Sequence, residues 1–204
     1  MLHYATIYPD TLGLLKELMQ KPELSNFSLA GGTSLALQIG HRISYDLDMF
    51  GNEPLDVDEV LDLLSPIVKV EILQQSKNIL ILDASGIKLD FVNYRYPLLY
   101  PPTTVDGIRL LTKADIAAMK LAAIAGRGKK RDFVDLYFLL QEYDMRAIMD
   151  FYKKKYPDGS EMMVVRSLSY FDDADKDEDV VFLKHIEWTY IKSELLDRVK
   201  SSYL

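Results

Sequence analysis

Residues 29–50 read LAGGTSLALQIGHRISYDLDMF, and the spacing inside this stretch decides the architecture. Residues 27–30 predict a short buried strand running into Gly31-Gly32, and residues 33–39 predict a helix that stops near Gly40. Strand, glycine turn, helix is the first organised unit. Residues 45–50 then alternate Asp46 and Asp48 against Leu47 and Met49, so as a strand they place both carboxylates on one face. Burying two unneutralised negative charges among apolar neighbours costs several kcal/mol, so something cationic is expected to offset them.

On the N-terminal side, residues 12–19 carry Leu14, Leu15, Leu18 and Met19 at helical spacing, after a Pro9-Asp10-Thr11 start and before a stop at Lys21-Pro22. On the C-terminal side, residues 56–64 predict an amphipathic helix with Leu61, Leu63 and Leu64 on its buried side. Three β-rich runs follow, 68–73, 79–82 and 87–94, with Ser85-Gly86 as a turn, and they suggest an antiparallel meander. Pro97, Pro101 and Pro102 punctuate a loop, and residues 108–111 return as an edge strand. After Thr112 the β signal stops. Thr112 caps a helix with Asp115 at its third position, and further helices are expected over 131–142, 145–155, 161–168 and 184–201. The fold class is α+β, with an α+β domain over residues 1–112 and a helical domain over 113–204.

The chain has 204 residues, more than one ~150-residue unit and less than two. Hydrophobic residues at 49% and charged residues at 27% exclude a disordered chain. The 24 basic and 31 acidic side chains give a formal charge of −7, so nucleic-acid contact has to come from a local basic patch rather than bulk charge. The absence of cysteine rules out disulfides, thiolate zinc sites and a cysteine nucleophile. With no secretory pattern at the N-terminus and no run of about 18 apolar residues, a cytoplasmic protein without a membrane span is expected.

The side chains that carry chemistry are Thr33, Asp46, Asp48 and Asp90, with Gly31 and Gly32. Asp90 interrupts an apolar strand between Leu89 and Phe91 and is placed to approach the Asp46/Asp48 face from a neighbouring strand; Asp83 is its competitor. Three carboxylates on one sheet make a hard-oxygen site for magnesium or manganese. Two ions about 4 Å apart would activate an attacking oxygen and stabilise a leaving pyrophosphate. Gly31 and Gly32 permit close approach of backbone to a ligand, the helix that follows offers amides and the positive end of its dipole to phosphate, and Thr33 adds a hydroxyl. The pattern lacks the third glycine of the dinucleotide-binding fingerprint and the terminal glycine-lysine-serine of the Walker loop.

Gly31-Gly32, thirteen intervening residues (33–45), Asp46-Leu47-Asp48-Met49 and then Leu89-Asp90-Phe91 resemble the signature of the DNA polymerase β-like nucleotidyltransferases. Residues 29–50 resemble more narrowly the AbiEii/AbiGii toxin family, through Gly31-Gly32-Thr33, His41-Arg42 and Asp46 to Asp48. The resemblance continues with Lys120 on one helix and Arg131-Asp132 and Asp135 on the next, and extends to Tyr170-Phe171-Asp172-Asp173-Ala174 and Trp188. It implies a nucleotidyltransferase-like mixed sheet flanked by helices, with a C-terminal helical bundle. It further implies transfer of a nucleoside monophosphate from a nucleoside triphosphate to an acceptor hydroxyl, with tRNA as the acceptor of family members and an antitoxin protein as partner. By the same resemblance Asp46, Asp48 and Asp90 bind metal, Asp90 also orients the attacking hydroxyl, and Gly31, Gly32, Thr33 and Lys120 hold the triphosphate. Asp132 or Asp135 positions Lys120 or acts near the acceptor.

Each feature has a structural alternative. The glycine turn also suits an ordinary helix cap, and Asp46 and Asp48 would suit a solvated edge strand were their neighbours less apolar. Lys120 fits a side chain snorkelling from a packed helix, Asp132 a first-turn acid, and Asp135 a partner for Arg131. Arg127, Lys129, Lys130 and Arg131 form the dense basic run, suited to a nucleotide, to RNA or merely to solvent. His41 is assigned no catalytic role. Residues 172–179 fail the calcium-loop requirements and read as an exposed acidic loop. The functional alternatives are a transferase acting on a protein or small molecule, and a catalytically silent member binding nucleotide or a partner protein.

Overall fold

A computed structural model, which describes residues 1–54 and 56–203, divides the chain into two units. One comprises Met1–Arg95 with Pro102–Leu111; the other comprises Tyr96–Pro101 with the chain from Thr112 onward.

The first unit contains α1 (Pro9–Gln20), β1 (Ser28–Leu29), α2 (Gly31–Ile39), β2 (Leu47–Gly51), α3 (Val57–Leu64), β3 (Val70–Gln75), β4 (Ile79–Ala84), β5 (Ile87–Asn93), β6 (Thr103–Val105) and β7 (Ile108–Leu110). The strands form a seven-stranded mixed sheet in the order β3-β4-β5-β2-β1-β7-β6. β2 runs parallel to β5 and β1 parallel to β7, while the remaining neighbours are antiparallel. Period-2 alternation turns Leu47 and Met49 of β2, Leu80 and Leu82 of β4, and Leu89 and Phe91 of β5 into the core, all without solvent exposure. α1 packs Leu14, Leu15 and Leu18 into the same core and α3 contributes Val60 and Leu64. Each such side chain stabilises by roughly 1.5–3 kcal/mol on burial.

Two sequence expectations change here. Residues 108–111 are not an edge: β7 lies inside the sheet, and β6, which the proline-punctuated stretch concealed, covers it. β2 begins at Leu47, so Asp46 precedes the strand ladder rather than belonging to it. Arg109 on β7 is half-buried and donates from Nε to Phe27 O (2.8 Å), from Nη1 to Met19 O (3.0 Å) and from Nη2 to Leu24 O (2.8 Å). Those three carbonyls fix the chain between α1 and β1 and so place the strand that leads into the glycine turn.

The second unit is helical, with α4 (Lys113–Gly126), α5 (Lys130–Leu139), α6 (Met145–Lys155), α7 (Glu161–Ser167), α8 (Asp172–Asp175) and α9 (Trp188–Tyr203). Thr112 caps α4, accepting from the Asp115 amide at 3.2 Å. The fully buried Asp115 carboxylate accepts from Lys155 Nζ (2.8 Å), from Thr112 Oγ1 (2.7 Å) and from the amides of Leu99 (2.9 Å) and Tyr100 (3.3 Å). Lys155 Nζ also donates to Pro97 O at 2.8 Å. Burial pushes the Lys155 ammonium below its ordinary pKa, against the opposing pull of Asp115. This network binds Tyr96–Pro101 into the helical unit.

α9 starts at Trp188, later than the spacing suggested, and the acidic segment before it is more than a solvated loop. Asp175 accepts from Trp188 Nε1 (2.7 Å) and Lys192 Nζ (2.8 Å), Asp177 from the Lys130 amide (3.0 Å), and Asp179 from Lys130 Nζ (2.8 Å). Among the described residues no helix is long and apolar enough to cross a membrane.

Candidate active site

Parallel pairing of β2 with β5 sets Asp48 directly beside Asp90, with Leu47 beside Leu89 and Met49 beside Phe91. Side chains at paired positions share a face, so the two carboxylates lie together on the half-buried side of the sheet, opposite the apolar core. Lys88, two residues before Asp90 on the same face, forms an ion pair with Asp90 Oδ2. Asp90 Oδ1 is buried without a hydrogen-bond partner among the described residues. A buried carboxylate oxygen left unsatisfied is costly unless an ion or ligand completes it. Asp83 is elsewhere engaged: its Oδ1 accepts from the Gly86 amide at 2.8 Å and closes the β4–β5 turn.

The glycine turn meets this pair at Asp48. Gly31 has φ +64°, and a Cβ built there would lie 1.9 Å from Asp48 Oδ2. Only glycine satisfies both the left-handed backbone and the close approach. The Ala30 amide donates to Asp48 O at 2.8 Å. One turn into α2, the buried Thr33 hydroxyl donates to the Asp46 carbonyl and shares a 2.8 Å hydrogen bond with Ser44 Oγ. Thr33 thus ties α2 to the residues entering β2. Ser44 was not evident from the sequence because nothing local marks a serine eleven residues away as a partner. His41 and Arg42 are buried, with Arg42 Nη1 donating to Ile43 O at 2.9 Å.

Among the described residues no three histidine or acidic side chains converge as a ready-made metal cage. Magnesium rarely needs one. It retains waters and is held by one or two carboxylates together with substrate phosphates. The Asp48–Asp90 pair fits that demand, with the orphaned Asp90 oxygen as the observation that favours a cation there and Asp46 two residues upstream of Asp48.

In the helical unit Lys120 stands between two fully buried carboxylates, with Nζ 2.9 Å from Asp132 Oδ1 and 2.6 Å from Asp135 Oδ2. Arg127 grips Asp132 with Nε (2.9 Å) and Nη2 (3.1 Å), a bidentate arrangement. Burial raises the Asp132 pKa, but the Lys120 and Arg127 charges and hydrogen bonds outweigh it and hold the carboxyl below its ordinary value. Both aspartates therefore form ion pairs with Lys120. Asp135 takes Lys120 as a partner, which the i, i+4 spacing from Arg131 did not suggest. Lys130 of the basic run is buried against Asp179, while Lys129 is exposed.

A family profile described as "Nucleotidyl transferase AbiEii toxin, Type IV TA system" matches residues 13–201. The chain belongs to the AbiEii nucleotidyltransferase family. An uncharacterized protein of Aquifex aeolicus is 42% identical over 156 residues, covering 74% of this chain and 76% of that one. The crystal structure of JHP933 from Helicobacter pylori superposes with a TM-score of 0.60 at 17% identity, covering 96% of this chain and 92% of that chain. A second H. pylori structure, of a protein inferred to be a nucleotidyltransferase, gives a TM-score of 0.56 at 18% identity over 94% of this chain and 90% of its own. At those identities the structures show the fold; the family match makes this AbiEii-family chain a nucleotidyltransferase.

Proposed function

We propose that this nucleotidyltransferase transfers a nucleoside monophosphate from a triphosphate to an acceptor hydroxyl of RNA, tRNA above all, using magnesium or manganese. Its biological setting in this reading is the cytoplasm, as the toxin of a toxin–antitoxin or abortive-infection pair whose antitoxin is a protein partner. The observation that carries the catalytic part is the side-by-side register of Asp48 and Asp90 next to Gly31.

In the reaction, the acceptor oxygen attacks the α-phosphorus and a new phosphate ester bond forms. The bond from that phosphorus to the β-bridging oxygen breaks, and pyrophosphate leaves with the electron pair. The acceptor proton passes to a carboxylate on this face or to water; Asp90, buried on one oxygen, orients the hydroxyl. Asp48 and Asp90, with Asp46, are the residues that would hold a divalent ion, which when bound neutralises the phosphate tail and the departing pyrophosphate. The first-turn amides of α2, at Gly31, Gly32 and Thr33, have no intrahelical acceptors and suit the triphosphate, with Thr33 also holding the Asp46 segment in place. Lys120, fixed by Asp132 and Asp135, supplies a positioned positive charge for phosphate.

Incubation with each labelled triphosphate, magnesium, and total RNA or total protein tests the reading. Label in tRNA is expected, and Asp46→Asn/Asp48→Asn is expected to abolish it while leaving the thermal midpoint in place. Label in protein or a small molecule instead would redirect the acceptor, and retained transfer in the double variant would remove the metal role of these carboxylates.

A further inference from the structure

The second unit has a cleft of about 630 Å³ that no step of the transfer reaction uses. Its volume is within the range of small-molecule sites. One side is smooth: Ala122, Ala123, Ala125 and Gly126 of α4 present almost no side chain. The other side is aromatic, formed by Tyr96, Tyr152 and Tyr156. The Tyr156 ring contacts Tyr96 edge-on at 4.7 Å and Tyr152 at 5.2 Å, so the three make one grouped wall. Asp158 and Gly159 close the lining. Gly159 is as close to the wall as backbone can come, since a Cβ there would lie 2.4 Å from the Tyr152 hydroxyl. Small residues facing grouped rings leave a space suited to a flat ring, and the Asp158 carboxylate adds an acceptor for an amino group at its edge.

Charge separates a nucleic acid from other flat ligands. The whole chain carries −7, yet residues adjoining the lining are basic. Lys129, exposed, lies three residues past Gly126, and Lys154, also exposed, sits between Tyr152 and Tyr156, while Arg127 and Lys153 beside them are paired with Asp132 and Glu161. Cations interleaved with tyrosines are the combination that binds single strands, with phosphates meeting the charges and bases stacking on the rings. We propose that the tyrosine-walled cleft along α4 and α6 receives an unstacked base of single-stranded RNA and so serves as a subsite for the acceptor strand. This rests on the RNA reading of the acceptor.

Fluorescence anisotropy with a fluorescein-labelled single-stranded RNA octamer, measured without nucleotide or metal, tests it. Two variants are compared: Tyr96→Ser, which removes an exposed ring of the wall, and Ala123→Leu, which fills the floor. Either is expected to raise Kd for the octamer about fivefold or more, as loss of one base stack does, while thermal midpoints and the weaker binding of a duplex of the same sequence stay unchanged. An octamer Kd within about twofold of the parent in both folded variants, a loss shared equally by duplex, or no octamer binding by the parent overturns the subsite. Because the measurement involves no transfer, its failure is distinct from that of the acceptor assignment, which falls only if label from the triphosphate appears outside RNA.

Discussion

At Gly31 a single hydrogen in place of a methyl lets the Asp48 carboxylate lie against the start of α2. Gly31→Ala combines a left-handed backbone penalty with a side-chain collision, and the variant is expected to lose about 1–3 kcal/mol in denaturant unfolding along with most of its transfer activity. Wild-type values for both would show that Asp48 does not need that position. Lys88 poses the complementary question, because its ammonium pairs with one oxygen of the carboxylate whose other, orphaned oxygen a metal would use. Lys88→Met is expected to tighten manganese binding severalfold in an EPR titration of free Mn²⁺, and unchanged or weaker binding would mean that the ion does not engage Asp90. Asp48 and Asp90 were legible in the sequence as interruptions of apolar strands. Lys88 was equally legible, two residues from Asp90 and hence on its face, but a lysine at a strand's exposed side draws no notice until its partner is known. Thr33 was legible as a candidate residue, while its bond to the Asp46 carbonyl depends on how α2 and β2 pack.

Between α4 and α5 the electrostatics are internal, with two buried carboxylates sharing Lys120 and one of them, Asp132, also held by Arg127. The Asp132 carboxyl titrates at its ordinary value near 3.8 in the unfolded chain and lower in the folded one. Its contribution to stability is therefore complete above that value and drains away as pH falls through the folded-state pKa. Unfolding free energies of the parent and Asp132→Asn, followed from about pH 5 to about pH 2, are expected to converge at the acid end; parallel curves would show that Asp132 is not held in its ionised form by these cations. Helix boundaries here were readable from caps such as Thr112 and from periodicity. The start of α9 was not, because residues 184–187 are as polar as the helix that follows and Trp188 is fixed by Asp175, a contact with no local signal. Among the strands, Ser85-Gly86 was read as a turn, yet Asp106-Gly107, with φ of +51° and +79°, is the same kind of hairpin signal and marks β6–β7. The prolines before it drew the reading toward a loop.

For the molecule as a whole, strands followed by helices were visible in the switch of period at Thr112, but the path of the chain was not. Periodicity describes segments one at a time and is silent on which unit a segment joins. A fragment of residues 112–204 carries Asp115 and Lys155 but lacks Pro97, Leu99 and Tyr100, the backbone groups bonded to them. That fragment is expected to show no cooperative thermal transition, whereas one of residues 96–204 is expected to recover helical circular dichroism; a cooperative melt of the shorter piece would show that the 96–101 segment is dispensable. The backbone passes from one unit to the other at 95/96, 101/102 and 111/112. A protease that severs only the 95/96 crossing leaves the two halves interlaced, because releasing them then requires peeling the β6–β7 hairpin away from β1.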